Sequence, residues 1–170
     1  MKVTPPDCAS CDDPKTRLVT GKKIYPHRPD LYDLNFWLCK CGAYCGCHKT
    51  KLGNYRRPLG RTANAELRKA RGYCHRIFDP LWKNAPDMAC YDDSEKDARS
   101  RRIIQNAARG RTYKYLAEAM NMTREECHIG MMDVDQCRQL YAICKTLSPE
   151  LIRTWHMNQP IETEKENECG

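Results

Sequence analysis

The sequence has no apolar run long enough to span a bilayer, and its 170 residues include only two Phe and three Trp. The first absence argues against a transmembrane helix. The second limits the core, because few large side chains are on hand to fill one. The polar opening Met1-Lys-Val-Thr-Pro-Pro-Asp7 also lacks the apolar stretch of a secretory signal, which predicts a chain working in the cytoplasm and away from membranes. No internal repeat is present, and neither is a Gly-rich phosphate loop, a Ser/His/Asp order or an H-E-x-x-H motif. The patterns that announce the commonest hydrolases and nucleotide-binding enzymes are therefore missing.

Cysteine, by contrast, is plentiful, at twelve residues. A disulfide scaffold spreads its cysteines to close loops, whereas here they fall in tight pairs, Cys8-x-x-Cys11 and Cys39-x-Cys41, with Cys45 and Cys47 close behind. A pair one or two residues apart lets one turn deliver two thiolates to the same ion, and zinc takes four such ligands tetrahedrally. Cys8, Cys11, Cys39 and Cys41 supply four. Cys45, Cys47 and His48 lie near enough in sequence to replace a member of the second pair. Arg17-Leu-Val-Thr-Gly21 and Asn35-Phe-Trp-Leu38 read as strands bracketing the two pairs, the layout of a zinc ribbon over residues 1–50.

From Thr62 the period changes. Leu67, Ala70, Cys74, Ile77 and Phe78 define one face of a helix that Thr62 is expected to cap and Pro80 to end. Residues 84–98 read as a polar connection, and a second helix covers at least Arg109 to Met120. Thr123-Arg-Glu-Glu126 has the form of a capping box, and Asp133 is expected to cap a third helix through Cys144. The fold class predicted is α+β: a zinc-ribbon-like β module over 1–50, a basic loop over 51–61, a small helical bundle over 62–148, and an extension over 149–170. That extension ends in an acidic tail expected to be disordered.

The runs Cys41-Gly-Ala-Tyr-Cys-Gly-Cys-His48, Pro58-Leu-Gly-Arg-Thr-Ala-Asn-Ala-Glu-Leu-Arg68 and Arg71-x3-His75-x2-Phe78-Asp-Pro-Leu-Trp82 resemble a zinc-finger-containing domain family found largely in bacteriophages and prophages. The likeness continues through Tyr113-x2-Leu-Ala117 and Cys127-His-Ile-Gly130 to Asp133 and Cys137, and so covers roughly residues 8–145. It departs from the family at Cys39-x-Cys41, where the family spaces its pair C-x-x-C, and at 52–57, which reads as an insertion. The resemblance implies a zinc site and a phage origin, hence the cytoplasm of an infected bacterial host. It implies no particular activity.

A second grouping is His75, Cys127, His128 and Cys137, open to three readings: another metal site, a catalytic centre, or structural residues with His75 bonded to Asp79. Charge supplies the remaining signal. Between Lys49 and Arg76 stand nine basic residues and one acid, Glu66, and residues 99–114 add six basic residues and no acid. Arg56, Arg57 and Arg61 read as an exposed loop, and Arg68, Lys69 and Arg76 as a solvated helix face. All six are candidate anion-binding residues, since guanidinium forks suit phosphate. The sequence therefore predicts a basic zinc-binding module acting on nucleic acid. One alternative is an adaptor or inhibitor that meets an acidic host protein. Another is a metal-dependent nuclease using His48, His75 or His128, which lacks the paired carboxylates such chemistry wants.

Overall fold

The β-branched residues of Thr16-Arg-Leu-Val-Thr20 and the large residues of Asn35-Phe-Trp-Leu-Cys39 build two strands, β1 (Thr16–Thr20) and β2 (Asn35–Cys39). They pair antiparallel, with Thr16 opposite Cys39 and Thr20 opposite Asn35. A third strand, β3 (Tyr44–Gly46), joins the other edge of β2 and sets Cys45 opposite Trp37. The computed structural model describes residues 3–49, 56–91 and 97–160. Between β1 and β2 the chain makes a short helix, α1 (Gly21–Ile24), and a 3-10 turn at Pro29–Leu31. Tyr25, Phe36 and Tyr44 meet edge to face with ring centroids 5.6 to 6.1 Å apart, which gives this aromatic-poor module a small apolar patch.

The helices are α2 (Ala65–Lys83), α3 (Ala98–Ala119), α4 (Val134–Cys144) and α5 (Pro149–Met157), so the architecture is α+β as the sequence predicts. Phe78 of α2, Leu116 of α3 and Leu140 of α4 are fully buried together with Ile129 and Met132 from the turn between α3 and α4. Phe78 and Tyr113 pack at 4.5 Å between ring centroids. The Thr123 capping box forms as read, Glu126 and Thr123 exchanging hydrogen bonds, and the expected Asp133 cap is itself a full capping box with Gln136.

Three local expectations need correction. Asn64, not Thr62, caps α2, its side chain accepting from the Leu67 amide at 2.9 Å. Pro80 lies inside α2 rather than ending it. The ring costs the helix one hydrogen bond, but Leu81 buries in the core and the Asn84 amide closes back on the Pro80 carbonyl at 3.2 Å, so packing carries the helix one turn further. The 84–98 connection is not uniformly polar, since Ala85, Pro86 and Met88 are buried, two of them against Ala108. The second helix, expected over at least Arg109 to Met120, extends back to Ala98 with Asp97 as its cap, and a helix α5, capped by Ser148, lies within the extension. The acidic tail, residues 161–170, lies outside the described residues.

Residues 57–63 join the two halves. On one side they run antiparallel to β3, with the Leu59 amide donating to Gly46 and Tyr44 and Ala63 exchanging two bonds of 3.1 Å. On the other side Thr62 donates to the Asp7 carbonyl and accepts from the Ala9 amide. Arg61 donates its amide to the Gly130 carbonyl at 3.0 Å, tying the segment to the helical core. Arg71 locks this junction from α2. Its buried guanidinium donates twice to the Met132 carbonyl, at 3.0 and 2.8 Å, and once to the Arg61 carbonyl at 2.9 Å. Arg71→Met leaves two carbonyls without these donors and is expected to lower unfolding free energy by about 3 kcal/mol. Urea denaturation checks this, and an unchanged midpoint would show that the clamp contributes nothing.

Candidate metal centre and the basic residues around it

Two tight turns present four sulfurs. In the first, the Asp12 amide returns to the Cys8 carbonyl at 3.0 Å with Asp12 at φ 50°. In the second, the Gly42 amide returns to the Cys39 carbonyl at 3.0 Å with Gly42 at φ 89°, a conformation glycine adopts freely. Asp13 of one turn and Lys40 of the other form an ion pair at 2.8 Å. The sulfurs of Cys8 and Cys41 are 3.6 Å apart, as are those of Cys11 and Cys39, and all four lie within 4.8 Å of one another. Zinc–sulfur bonds of about 2.3 Å set a tetrahedral edge of about 3.8 Å. The observed spacing is near that edge and far beyond a disulfide bond, so donor type, number and separation all fit zinc. A model for a zinc-finger-containing domain matches residues 4–92 and 99–147, a span that includes all four cysteines. The chain belongs to this zinc-finger-containing family. No curated protein and no solved structure matches it.

The cluster of the zinc-finger domain is chemically uneven. Burial opposes ionisation of Cys8, but the Thr62 hydroxyl, the Ser10 amide and the Cys41 and Cys11 thiols outweigh it and hold Cys8 down at about 6. Cys39 is pushed up to about 12, first by burial and then by the thiols beside it. Four crowded sulfurs cannot all carry charge unaided, and a dication is what removes that restriction. Thr62 is the residue sequence reasoning missed here. It is fully buried, its hydroxyl is without a hydrogen-bond partner among the described residues, and its proximity favours the thiolate form of Cys8. Its position just before a capped helix held no hint of this, because the contact spans 54 residues of chain.

The alternatives for the second pair point elsewhere. Cys45 donates its thiol to the Gly60 carbonyl at 3.2 Å, Cys47 sits 3.6 Å from the Arg56 carbonyl, and burial raises both thiols, to about 12 and about 11. Nor does the structure assemble His75, Cys127, His128 and Cys137 into a second metal group among the described residues. His75 is on the surface beside Asp79 at 3.3 Å, and Lys83 holds the other oxygen of that carboxylate at 2.7 Å. Cys127 and Cys137 pack in the core, where Cys74 donates to the Cys137 carbonyl at 3.3 Å. His128 stacks on Tyr113 at 5.6 Å. His75 stands exposed on α2, whereas Cys127 and His128 belong to the turn between α3 and α4 and Cys137 to the buried side of α4, so the four do not share one site.

The six basic candidates separate into distinct roles. Arg61 is not a free loop cation: its guanidinium reaches the Cys8 carbonyl at 3.3 Å and Asp12 at 3.0 Å. Arg68 is not solvated either, since it lies 3.8 Å over the Tyr44 ring and donates to the Ala63 carbonyl at 2.6 Å. Arg56, Arg57, Lys69 and Arg76 are exposed and have no carboxylate partner among the described residues. Lys69 and Arg76 stand about the ring of Tyr73, at 6.0 and 5.4 Å. Among the described residues no helix is long and apolar enough to cross a membrane.

Proposed function

We propose that this chain is a zinc-binding protein that holds nucleic acid on its basic surface, with the metal serving structure rather than chemistry. The observation that carries the reading is the Lys69, Tyr73 and Arg76 stripe on α2, where two cations without a carboxylate partner among the described residues flank an aromatic ring that is 45% exposed. Cations neutralise phosphates and an open ring offers a stacking platform, the combination that sequence-tolerant strand binding uses. Arg56 and Arg57 extend the same sign of charge. Zinc at Cys8, Cys11, Cys39 and Cys41 would hold the sheet that positions them. The motif resemblance supports a phage origin and a setting in the cytoplasm of an infected bacterium.

One observation favours a second reading, a protein partner. A groove of about 480 Å³ between α2 and α4 is lined by Ala70, Tyr73, Val134 and Tyr141 and is largely apolar. Fluorescence anisotropy of a random single-stranded oligonucleotide at several salt concentrations separates the two. The nucleic-acid reading expects log affinity to fall linearly with log salt, at about 0.7 per phosphate contact, and expects Lys69→Glu with Arg76→Glu to weaken binding at least tenfold. No measurable binding at low salt, together with a specific host protein captured from nuclease-treated lysate, would favour the partner reading. Arg61 is left out of the variant because its bonds to the metal turn would confuse binding with folding.

A further inference from the structure

A cleft of about 600 Å³ opens between the zinc-finger module and the helical bundle. Three stretches distant in sequence wall it: residues 4–7, residues 57–61 with His48 alongside, and the turn from Arg124 to Met131. His48 and Arg57 are adjacent because the His48 amide donates to the Arg57 carbonyl at 2.8 Å. Arg124 and His128 face the cleft from the helical side, where Arg124 also lies 4.9 Å over Tyr113. Asp7 and Glu125 line the cleft too, yet among the described residues neither forms an ion pair with these arginines. Arg61 is met by Asp12, which leaves Arg57 and Arg124 as cations in a concave wall with no carboxylate in contact.

His128 is set up as a donor. His128 accepts the Gly130 amide on Nδ1 at 3.2 Å, so in its neutral form the proton sits on Nε2. Burial is the main cause of its lowered pKa, followed by Arg109, His75, Arg124 and His48. His48 is lowered by burial and then by Arg57. Cations crowd both rings, and an anion placed among them would reverse the balance.

We propose that this cleft is a recessed phosphate site, seating one phosphate of a nucleic-acid strand between Arg57 and Arg124 with His48 and His128 completing the contacts. It rests on the nucleic-acid reading for the source of the phosphate, and on its own charge and shape for the anion. The site differs from the α2 stripe in being concave and in drawing residues from both halves of the chain. A bound phosphodiester stays singly charged between pH 5.5 and 8, so pH dependence of binding reports the protein. Binding should raise both histidine pKa values, and affinity should therefore increase as pH falls through their titration range.

The test uses the zinc-loaded full chain and two probes, sodium sulfate and a random single-stranded oligonucleotide, with the imidazole resonances of His48 and His128 followed by NMR. Both probes are expected to move those resonances and raise their pKa values. Arg57→Ala with Arg124→Ala should abolish the response to both probes and lower oligonucleotide affinity about tenfold, while Lys69→Ala with Arg76→Ala, outside the cleft, should leave the response to sulfate intact. Arg124→Gln alone, at an exposed position, supplies the same reading if the double variant folds poorly. Silent histidines in the wild-type chain, or a response that survives both cleft variants, would overturn the proposal. Oligonucleotide binding without a histidine response would sink the cleft and spare the nucleic-acid reading. A sulfate response without oligonucleotide binding would sink that reading and the strand as phosphate source, and retain an anion site for a smaller phosphorylated ligand.

Discussion

Cys39→Ser is expected to reduce bound zinc from about one equivalent to a small fraction of one, the largest single effect in this chain. Structural zinc contributes about 10–16 kcal/mol of apparent binding free energy to small modules, and removing one of four thiolates forfeits much of it. Here the consequence is local. Cys8, Cys39 and Ala43 form their own small buried cluster, apart from the core that α2, α3 and α4 share. Loss of metal should therefore erase the near-ultraviolet dichroism of Trp37 in β2 while the far-ultraviolet helical signal largely persists. Cys45→Ser and Cys47→Ser, whose thiols bond backbone carbonyls outside the cluster, should keep their zinc. Metal analysis of the three variants decides the matter. Full zinc in Cys39→Ser would mean a different ligand set, and collapse of the helical signal on chelation would mean that the two halves fold as one cooperative unit.

Gly130→Ala is expected to destabilise the protein by about 3 kcal/mol, a large effect for a single methyl group. A Cβ at Gly130 would run into the Leu59 carbonyl, and one at Gly60 would run into Gly130 itself. The two backbones approach this closely because the Arg61 amide bonds the Gly130 carbonyl there, so neither side can withdraw without breaking the junction. Gly72, in the middle of α2, is the contrasting position: nothing lies within 4 Å of its would-be Cβ. Gly72→Ala should stabilise by about 0.5–1 kcal/mol through helix propensity. Urea midpoints for the two variants should move in opposite directions, and equal shifts would mean that the glycine contact is not what holds the halves together.

Signals carried by neighbours in sequence were legible from the residues alone. The Cys8/Cys11 and Cys39/Cys41 turns, β1, β2, the Thr123 capping box and the Asp133 cap all depend on spacings of a few residues. The start of α3 was missed because Ala98 to Arg102 carries charge and no apolar stripe. The persistence of α2 past Pro80 depends on what Leu81 packs against, which no local window contains. For α5 a signal was present: Ser148-Pro149-Glu150 places a cap, a proline in the first turn and an acid after it, and short length alone hid the helix. The cleft was illegible in principle. His48, Arg57 and Arg124 become neighbours only through the pairing of residues 57–63 with β3 and their contact with Gly130. Charge counting along the chain grouped Arg61 and Arg68 with Arg56, whereas folding turns the first two into structural ties.

The four sulfurs of the metal centre do not meet solvent equally. Cys8 and Cys39 are almost completely buried, while Cys11 and Cys41 are exposed, one from each turn. An alkylating reagent or oxidant arriving from solution therefore reaches one ligand of each pair first and leaves the other in place. With zinc bound at the four sulfurs, Cys8 and Cys39 would be the ligands that outlast such an attack, and reversal of the modification at Cys11 and Cys41 would restore the full set.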